Sequence, residues 1–379
     1  MARTQIVLVA HPSADLYGSD LQLLETVTAI TSAGWEAHVV LPIDGPLAGR
    51  LRERGATVVY VPFPVLRKSS MTPVGLMRLA WSILMAFPRM LRVVRSVGPQ
   101  VVLVNTVTIP WWLVAGRTTR CLTVCHVHEA EDRGARVVLT ALALPQLLAH
   151  RLIVNSEASG EALTRYVPRL QRRMTVVHNG FPGPQEEPDP VRVRTVGERA
   201  TLVVVARLSP RKGIDVALEA LAVLRAEGRP LELLICGTVF SGYEWFEELL
   251  HRRAEETDLA GSVHFRGYVS PTWPVLAQAD IVLVPSRAEP FGNTAVEALL
   301  ASRPLVASDV QGLREIVRDG VNGLLATPGD AHDLAHRIAI LLDQPAAADA
   351  LAASGRKDAL ERFSQAAYSA SIRRLLQRP

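Results

Sequence analysis

The 379-residue chain reads as two doubly wound α/β domains in series. Three observations predict this. Short apolar, β-branched runs alternate with segments of helical period. The alternation runs through once, breaks and then restarts. The break is rich in proline, glycine and acid and has no periodic apolar residue. At roughly 100–200 residues per domain the length suits two.

The first series predicts strands at 5–10, 37–41, 57–61, 101–104, 121–127, 151–154 and 174–177. Between the first two, Leu21, Leu24, Val27, Ala29 and Ile30 recur at helical spacing. Strands that are apolar almost throughout belong to a parallel sheet covered on both faces. Residues 179–190 then hold four prolines, two glycines and three acids, and predict a linker over 183–197. The second series places strands at 201–206, 231–236, 263–265, 281–284, 305–307 and 323–326, with helices at 214–226, 243–256 and 294–300. The expected domains are therefore 1–182 and 198–363, with a closing helix at 364–379 packing back on the first. Open α/β sheets bind ligands beyond the carboxyl ends of their strands, so the expected site is a cleft faced by both domains.

Composition narrows the class. Apolar residues make up 49% and charged residues 21%, which suits a packed globular chain. Three cysteines, Cys121, Cys125 and Cys236, cannot build a disulfide framework and fit a reducing compartment. The N-terminus has a short apolar run ended by His11 and Pro12, which argues against a secretory signal. No run of about 18 uncharged apolar residues exists, so an ordinary transmembrane helix is not expected. The net charge of +4 conceals +8 in residues 1–182 against −4 in 183–379. Residues 54–128 contain nine basic residues and no acid, a local charge that speaks of a partner rather than of the fold.

Absent motifs exclude several chemistries. None of the 25 glycines forms Gly-x-Gly, so the dinucleotide fingerprint is missing. The P-loop pattern and the G-x-S-x-G elbow are missing too. Without Asp-x-Asp there is no paired carboxylate of the kind that holds a metal against a diphosphate.

Two stretches carry candidate chemistry. In Glu289-Pro-Phe-Gly-Asn-Thr-Ala-Val-Glu297, Gly292, Asn293 and Thr294 open a helix whose backbone N–H groups can cradle phosphate or sugar hydroxyls. Glu297, one turn in, can accept hydrogen bonds from a vicinal diol such as a ribose. In Val203-Val-Val-Ala-Arg207-Leu-Ser-Pro-Arg-Lys212-Gly, two cations follow the first strand of the second domain. Arg207 offers a bidentate fork to phosphate oxygens and Lys212 a compact charge. Taken singly, each is more often a solvated turn with ordinary surface glutamates.

Together, the Arg-x4-Lys and E-x7-E patterns resemble the retaining glycosyltransferases of family 4, members of the GT-B class with two Rossmann-like domains. Further stretches that resemble the family are Ala14-Asp-Leu-Tyr-Gly18-Ser-Asp20, His126-Val-His128-Glu129, Val177-His-Asn-Gly180, Phe265-Arg-Gly-Tyr-Val269, Ala307-Ser-Asp-Val-Gln-Gly-Leu-Arg-Glu315 and Asp319-Gly-Val-Asn-Gly323. The resemblance spans almost the whole chain and is densest in the second half.

It implies that Arg207 and Lys212 neutralise a leaving diphosphate without metal. It also implies that Glu289 holds a donor-sugar hydroxyl, Glu297 the ribose and Val269 the nucleobase turn. Phe291, Gly292, Asn293 and Thr294 would contribute at the helix start, and Gly18 would let the first-domain loop approach the diphosphate or the acceptor. His128 would lie under the reacting sugar. Two departures stand out. Pro290 replaces the family's usual glycine and removes a backbone donor, and a single Gly18 stands where relatives carry two glycines.

Cys121, Cys125, His126 and His128 look like metal ligands by letter alone. Four residues along a strand at roughly 3.3 Å each put the two cysteines about 13 Å apart, too far for one zinc ion. No metal site and no cofactor are expected.

Residues 63–97 mix Met71, Met77, Trp81, Leu84, Met85, Phe87 and Leu91 with Arg67, Lys68, Arg78, Arg89, Arg92 and Arg95. Two readings stand. A basic amphipathic helix over 71–97 lies on anionic lipid, or its apolar face packs on the first-domain sheet beneath solvated arginines. Nucleic acid is not expected, since no reader motif accompanies the patch.

The functional expectation is a cytoplasmic, metal-independent, retaining glycosyltransferase that could sit peripherally on the inner face of a membrane. Its partners would be a nucleotide-diphosphate-sugar donor and a glycan or lipid-linked glycan acceptor, as in cell-envelope or extracellular polysaccharide synthesis. The alternatives are a transferase using a soluble small-molecule acceptor, a non-catalytic partner that keeps the scaffold, and a phosphorylase built on pyridoxal phosphate. The last fits poorly with three lysines in the whole chain.

Overall fold

The computed structural model describes residues 4–66, 70, 72–130, 135–188, 198–240 and 242–377. The chain divides into two compact units, Met1–Gly180 with Gln365–Pro379, and Phe181–Ser364. Residues 189–197 of the expected linker, and Arg67, Lys68 and Met71 of the basic stretch, lie outside the described residues.

The first unit is a seven-stranded, wholly parallel sheet. Its strands are β1 (Ile6–Ala10), β2 (Glu36–Leu41), β3 (Thr57–Tyr60), β4 (Val101–Val104), β5 (Leu122–Val127), β6 (Arg151–Val154) and β7 (Met174–Val176), in the order β3-β2-β1-β4-β5-β6-β7. Its helices are α1 (Gly18–Thr31), α2 (Pro46–Glu53), α3 (Pro73–Val97), α4 (Trp111–Thr118), α5 (Arg136–Ala143) and α6 (Glu157–Thr164). Alternation along each strand sorts the side chains between the faces. Leu8 and Ala10 of β1 pack with α3 and α4, whereas Val7 and Val9 pack with α1 and α2. This two-sided burial is why the strands read as continuous apolar runs.

The second unit repeats the design with six parallel strands. These are β8 (Ala200–Val205), β9 (Leu231–Cys236), β10 (Val263–Gly267), β11 (Ile281–Val284), β12 (Leu305–Ser308) and β13 (Leu324–Ala326), in the order β10-β9-β8-β11-β12-β13. Helices α7 (Ile214–Ala226), α8 (Glu244–Ala254) and α12 (Ala331–Asp343) cover one face. Helices α9 (Trp273–Ala277), α10 (Asn293–Leu300), α11 (Leu313–Ile316) and α13 (Pro345–Arg362) cover the other. The last helix, α14 (Gln365–Leu376), returns to the first unit. There Tyr368, Ile372 and Leu376 join the α1 side of the core, and Tyr368 Oη meets Thr26 Oγ1 at 2.6 Å.

Helix α3 bears on the membrane expectation. Over 25 residues it is long and apolar enough to cross a membrane by length and composition, and most of it is exposed. Widely spaced arginines interrupt it, so it holds no uncharged run of that length although its average is apolar. The helix starts where the Thr72 hydroxyl accepts from Gly75 N at 3.0 Å and ends at Gly98 in the left-handed region, φ 61°. Its C-terminal half anchors it to the sheet through Ala86, Met90 and Val94.

Candidate functional site

In the second unit, three neighbouring strands (β8, β11 and β12) deliver their loops to one edge of the sheet. Arg207 follows β8, half-buried, with its guanidinium 4.8 Å from the centre of the Phe240 ring. A short 3-10 turn, Pro210–Lys212, leads to Gly213, which enters α7 at φ 65°. A β-carbon there would lie 1.9 Å from the Pro285 carbonyl oxygen, so glycine is required twice over. The close approach brings the cationic turn against the loop after β11. Arg287 fastens the two by bidentate bonds to Asp215, both 2.7 Å, and by a bond to the Pro210 carbonyl at 2.9 Å.

Lys212 Nζ donates to Glu289 Oε2, which also accepts from Ser286 Oγ at 3.1 Å. Burial would raise the Glu289 carboxyl, but the Lys212 charge and hydrogen bond, aided by Arg211 and Ser286, bring it below its ordinary value. The Glu289 N–H donates to Gln311 Oε1 at 2.7 Å, which ties in the loop after β12. Gly292 precedes α10 at φ 122°, packed where a β-carbon would meet Leu313 at 2.6 Å. One turn into α10, Glu297 is pushed up to about 7 by burial, against a hydrogen bond from Thr272 that lowers it.

The side chains of three residues expected at the donor site also have a place in the fold. The Thr294 hydroxyl donates to the Val205 carbonyl at 3.0 Å, pinning the start of α10 to the end of β8. The Phe291 ring is buried and meets Phe363 edge-on at 5.8 Å, so only its backbone stays relevant to a ligand. Val269 packs against the core beneath α9 and α10.

The first unit builds a polar network on its three central strands, β1, β4 and β5. His11 and Asn105 follow β1 and β4 directly, and His128 follows β5. Asn105 uses both ends of its amide. Nδ2 donates to His11 Nδ1 at 3.0 Å, and Oδ1 accepts from His128 Nε2 at 3.0 Å. With Nδ1 accepting, His11 carries its proton on Nε2 and donates it to Asp20 Oδ1 at 2.7 Å. Asp20 also accepts from Ser13 Oγ at 2.5 Å and from Tyr17 N at 2.9 Å, the latter capping α1. Burial opposes the Asp20 charge, yet His11, Ser13 and Tyr17 together hold its carboxyl below the ordinary value.

Burial, with His126 and His11 nearby, keeps His128 neutral by drawing its pKa well below the ordinary value. His126 lies against it, ring centres 4.1 Å apart, and burial holds its own pKa down to about 3. The His128 N–H donates to Glu129 Oε2 at 3.0 Å, and Thr106 Oγ1 donates to Glu129 Oε1. Gly18 is exposed as the first residue of α1. Cys121 and Cys125 are buried and donate to the Pro99 and Thr106 carbonyls at 3.2 and 3.6 Å.

The sequence reading missed His11, Asp20 and Asn105 in the first unit, and Ser286, Arg287 and Gln311 in the second. A usable signal existed, since most of them stand just beyond the carboxyl end of a strand next to the switch in strand order.

Comparison with known proteins bears on the same regions. Residues 18–182 match the family described as Glycosyltransferase Family 4, and residues 186–358 match Glycosyl transferases group 1. A putative glycosyltransferase, EpsD of Bacillus subtilis, is 35% identical over 44% of this chain and 42% of its own. D-inositol 3-phosphate glycosyltransferase 2 of Catenulispora acidiphila is 36% identical over 52% of this chain and 49% of its own. The chain thus spans about half the length of the curated relatives it matches. Anabaena HepE, solved in complex with UDP and glucose, superposes with TM-score 0.81 at 23% identity, covering 98% of each chain. Two parallel-sheet units that match those two families in turn, over most of the chain, make it a member of the GT-B glycosyltransferases of the family 4 type.

Proposed function

We propose that the chain is a retaining, metal-independent glycosyltransferase that takes a sugar from a nucleotide-diphosphate donor. Its acceptor is a glycan or lipid-linked glycan in cell-envelope or extracellular polysaccharide synthesis, on the cytoplasmic side of a membrane. The bond from the anomeric carbon to the diphosphate breaks, and one to the acceptor hydroxyl forms with the same configuration. The acceptor proton passes to the departing phosphate oxygen.

The observation that carries the reading is the cationic turn of Arg207 and Lys212 set against Glu289, with Glu297 one turn into α10. The two cations suit charge growing on a diphosphate, and the carboxylates suit sugar and ribose hydroxyls. Neutral, half-buried His128, its Nε2–H already given to Asn105, can accept a hydrogen bond from the reacting sugar without bringing a competing charge. The donor reading also accords with HepE having been solved with UDP and glucose.

A thermal-shift panel of UDP-, GDP-, ADP- and dTDP-sugars tests the donor. A donor at 100 times its Kd stabilises the native state by about 2.7 kcal/mol. Turnover of that donor should persist in EDTA, and proton NMR of the first product should show the donor's anomeric configuration. Loss of turnover in EDTA that Mg²⁺ restores, or an inverted product, would refute the mechanism.

A further inference from the structure

The N-terminal half of α3 presents an apolar face that the fold does not use. Leu79, Ile83, Ala86 and Met90 turn towards the sheet of the first unit. Met77, Trp81, Leu84 and Met85, spaced i, i+4, i+7 and i+8, form a second stripe on the opposite side of the helix. These four are 65%, 65%, 63% and 50% exposed. A helix that merely covered a sheet would carry polar residues there.

The stripe has neighbours. Helix α4 packs against α3 and against the 3-10 helix Leu144–Leu148, which continues α5. On α5 and that continuation, Val137 and Leu144 are 80% and 53% exposed. All these helices cover the same face of the sheet. Large apolar side chains left exposed on one face of a sheet mark a surface made for another phase or partner.

Charge identifies which. Arg78, Arg89, Arg92 and Arg95 are all exposed on α3, and residues 54–128 contain no acid. A protein partner would be free to answer with a few acids. An apolar stripe bordered by arginine alone instead suits a surface that is apolar within and anionic at its rim. We propose that this face of the first unit docks on an anionic lipid bilayer. Met77, Trp81, Leu84 and Met85 enter the headgroup boundary, while the arginines lie among lipid phosphates. Because Ala86, Met90 and Val94 hold the C-terminal half of α3 in the core, the helix lies on the membrane rather than through it.

The test is co-sedimentation of the full chain with vesicles, which needs neither donor nor acceptor and so stands apart from the transferase reading. Vesicles of phosphatidylcholine with about one-third phosphatidylglycerol should take down the protein at low salt. Binding should weaken at least tenfold as ionic strength rises through roughly 0.1 M, where the Debye length is near 10 Å. Vesicles of phosphatidylcholine alone should bind at least tenfold less. Met77→Ser, Trp81→Ser and Leu84→Ser together should abolish binding, as should Arg89→Glu, Arg92→Glu and Arg95→Glu together. Both triple variants should keep the wild-type Tm, because every changed side chain is exposed.

Three results would overturn the proposal. They are no sedimentation of wild type at low salt, wild-type binding by the serine variant, and resistance to both high salt and alkaline carbonate. The last would make α3 a spanning helix. Dimerisation of the wild type lost in the serine variant, without vesicle binding, would assign the stripe to a second copy instead.

Discussion

Lys212 and Glu289, 77 residues apart, form a largely buried ion pair that joins the turn after β8 to the loop after β11. Each has a proposed ligand of its own, and in the free protein each neutralises the other. Lys212→Met should therefore cost about 3 kcal/mol of stability, since it leaves Glu289 buried and unpaired. Glu289→Gln should cost less, and the double variant should recover part of the Lys212→Met loss. A double-mutant cycle in urea measures the coupling. Strict additivity would mean the pair contributes nothing jointly.

Arg207 stacks on Phe240, a contact worth about 0.5–1 kcal/mol. Arg207→Ala should lower kcat by about 10²–10³ while changing Tm far less than a loss of that size would imply for a structural residue. Parallel losses of Tm and activity would make Arg207 a structural residue.

Asn105 orients His128 and His11 without being placed on any ligand. Asn105→Ala should lower kcat by roughly 10²-fold, the scale of a small misplacement in an active site, while donor KM changes little. Asn105→Asp keeps an acceptor for His128 but loses the donor to His11, so it should retain more activity than the alanine variant. An increase in KM alone would place Asn105 in donor binding instead.

Glu297 gives the protein a pH dependence of definite sign. Its carboxyl is raised from an ordinary 4.5 to about 7 by burial, so the native state holds the proton more tightly than the unfolded chain. That contribution to stability is full below about pH 4.5 and is lost as pH rises through 7. The Tm of wild type relative to Glu297→Gln should fall across this window. Donor affinity should run the other way, rising through pH 7 as the carboxylate forms, and isothermal titration at pH 6 and 8 compares the two states. A flat profile for both would remove Glu297 from the donor site.

Gly213 and Gly228 separate steric from conformational need. Both have positive φ, 65° and 81°, but only Gly213 faces a carbonyl where a β-carbon would stand, while Gly228 has open space. Gly228→Ala should cost about 1 kcal/mol of backbone strain. Gly213→Ala should cost more than twice that and depress activity as well, because it displaces the turn that carries Lys212. Equal melting temperatures for the two variants would refute the steric argument.

The strands were legible because burial on both faces writes them as unbroken apolar runs, from Ile6–Ala10 to Leu324–Ala326. The cationic turn and the Glu289 to Glu297 stretch were legible because each occupies a few consecutive residues. The assignment of roles within them was less so. Nothing in the letters says that Thr294 bonds to Val205, 89 residues away, or that Lys212 is already engaged by Glu289.

Asn105 shows the limit most clearly. As a lone asparagine after a strand it carries no pattern, and it becomes a bridge only because strand order places β4 between β1 and β5. The same holds for α3, whose sequence permits either a packed helix or a lipid-facing one. Alternating apolar and polar positions, glycine placement and local charge are properties of neighbours along the chain, so the sequence alone determined the elements, the two-unit architecture and the ingredients of the cationic turn. Which side chains meet, which carboxylate is neutralised and which apolar face stays exposed depend on residues tens to hundreds of positions apart, and only the packing of sheets and helices decided them.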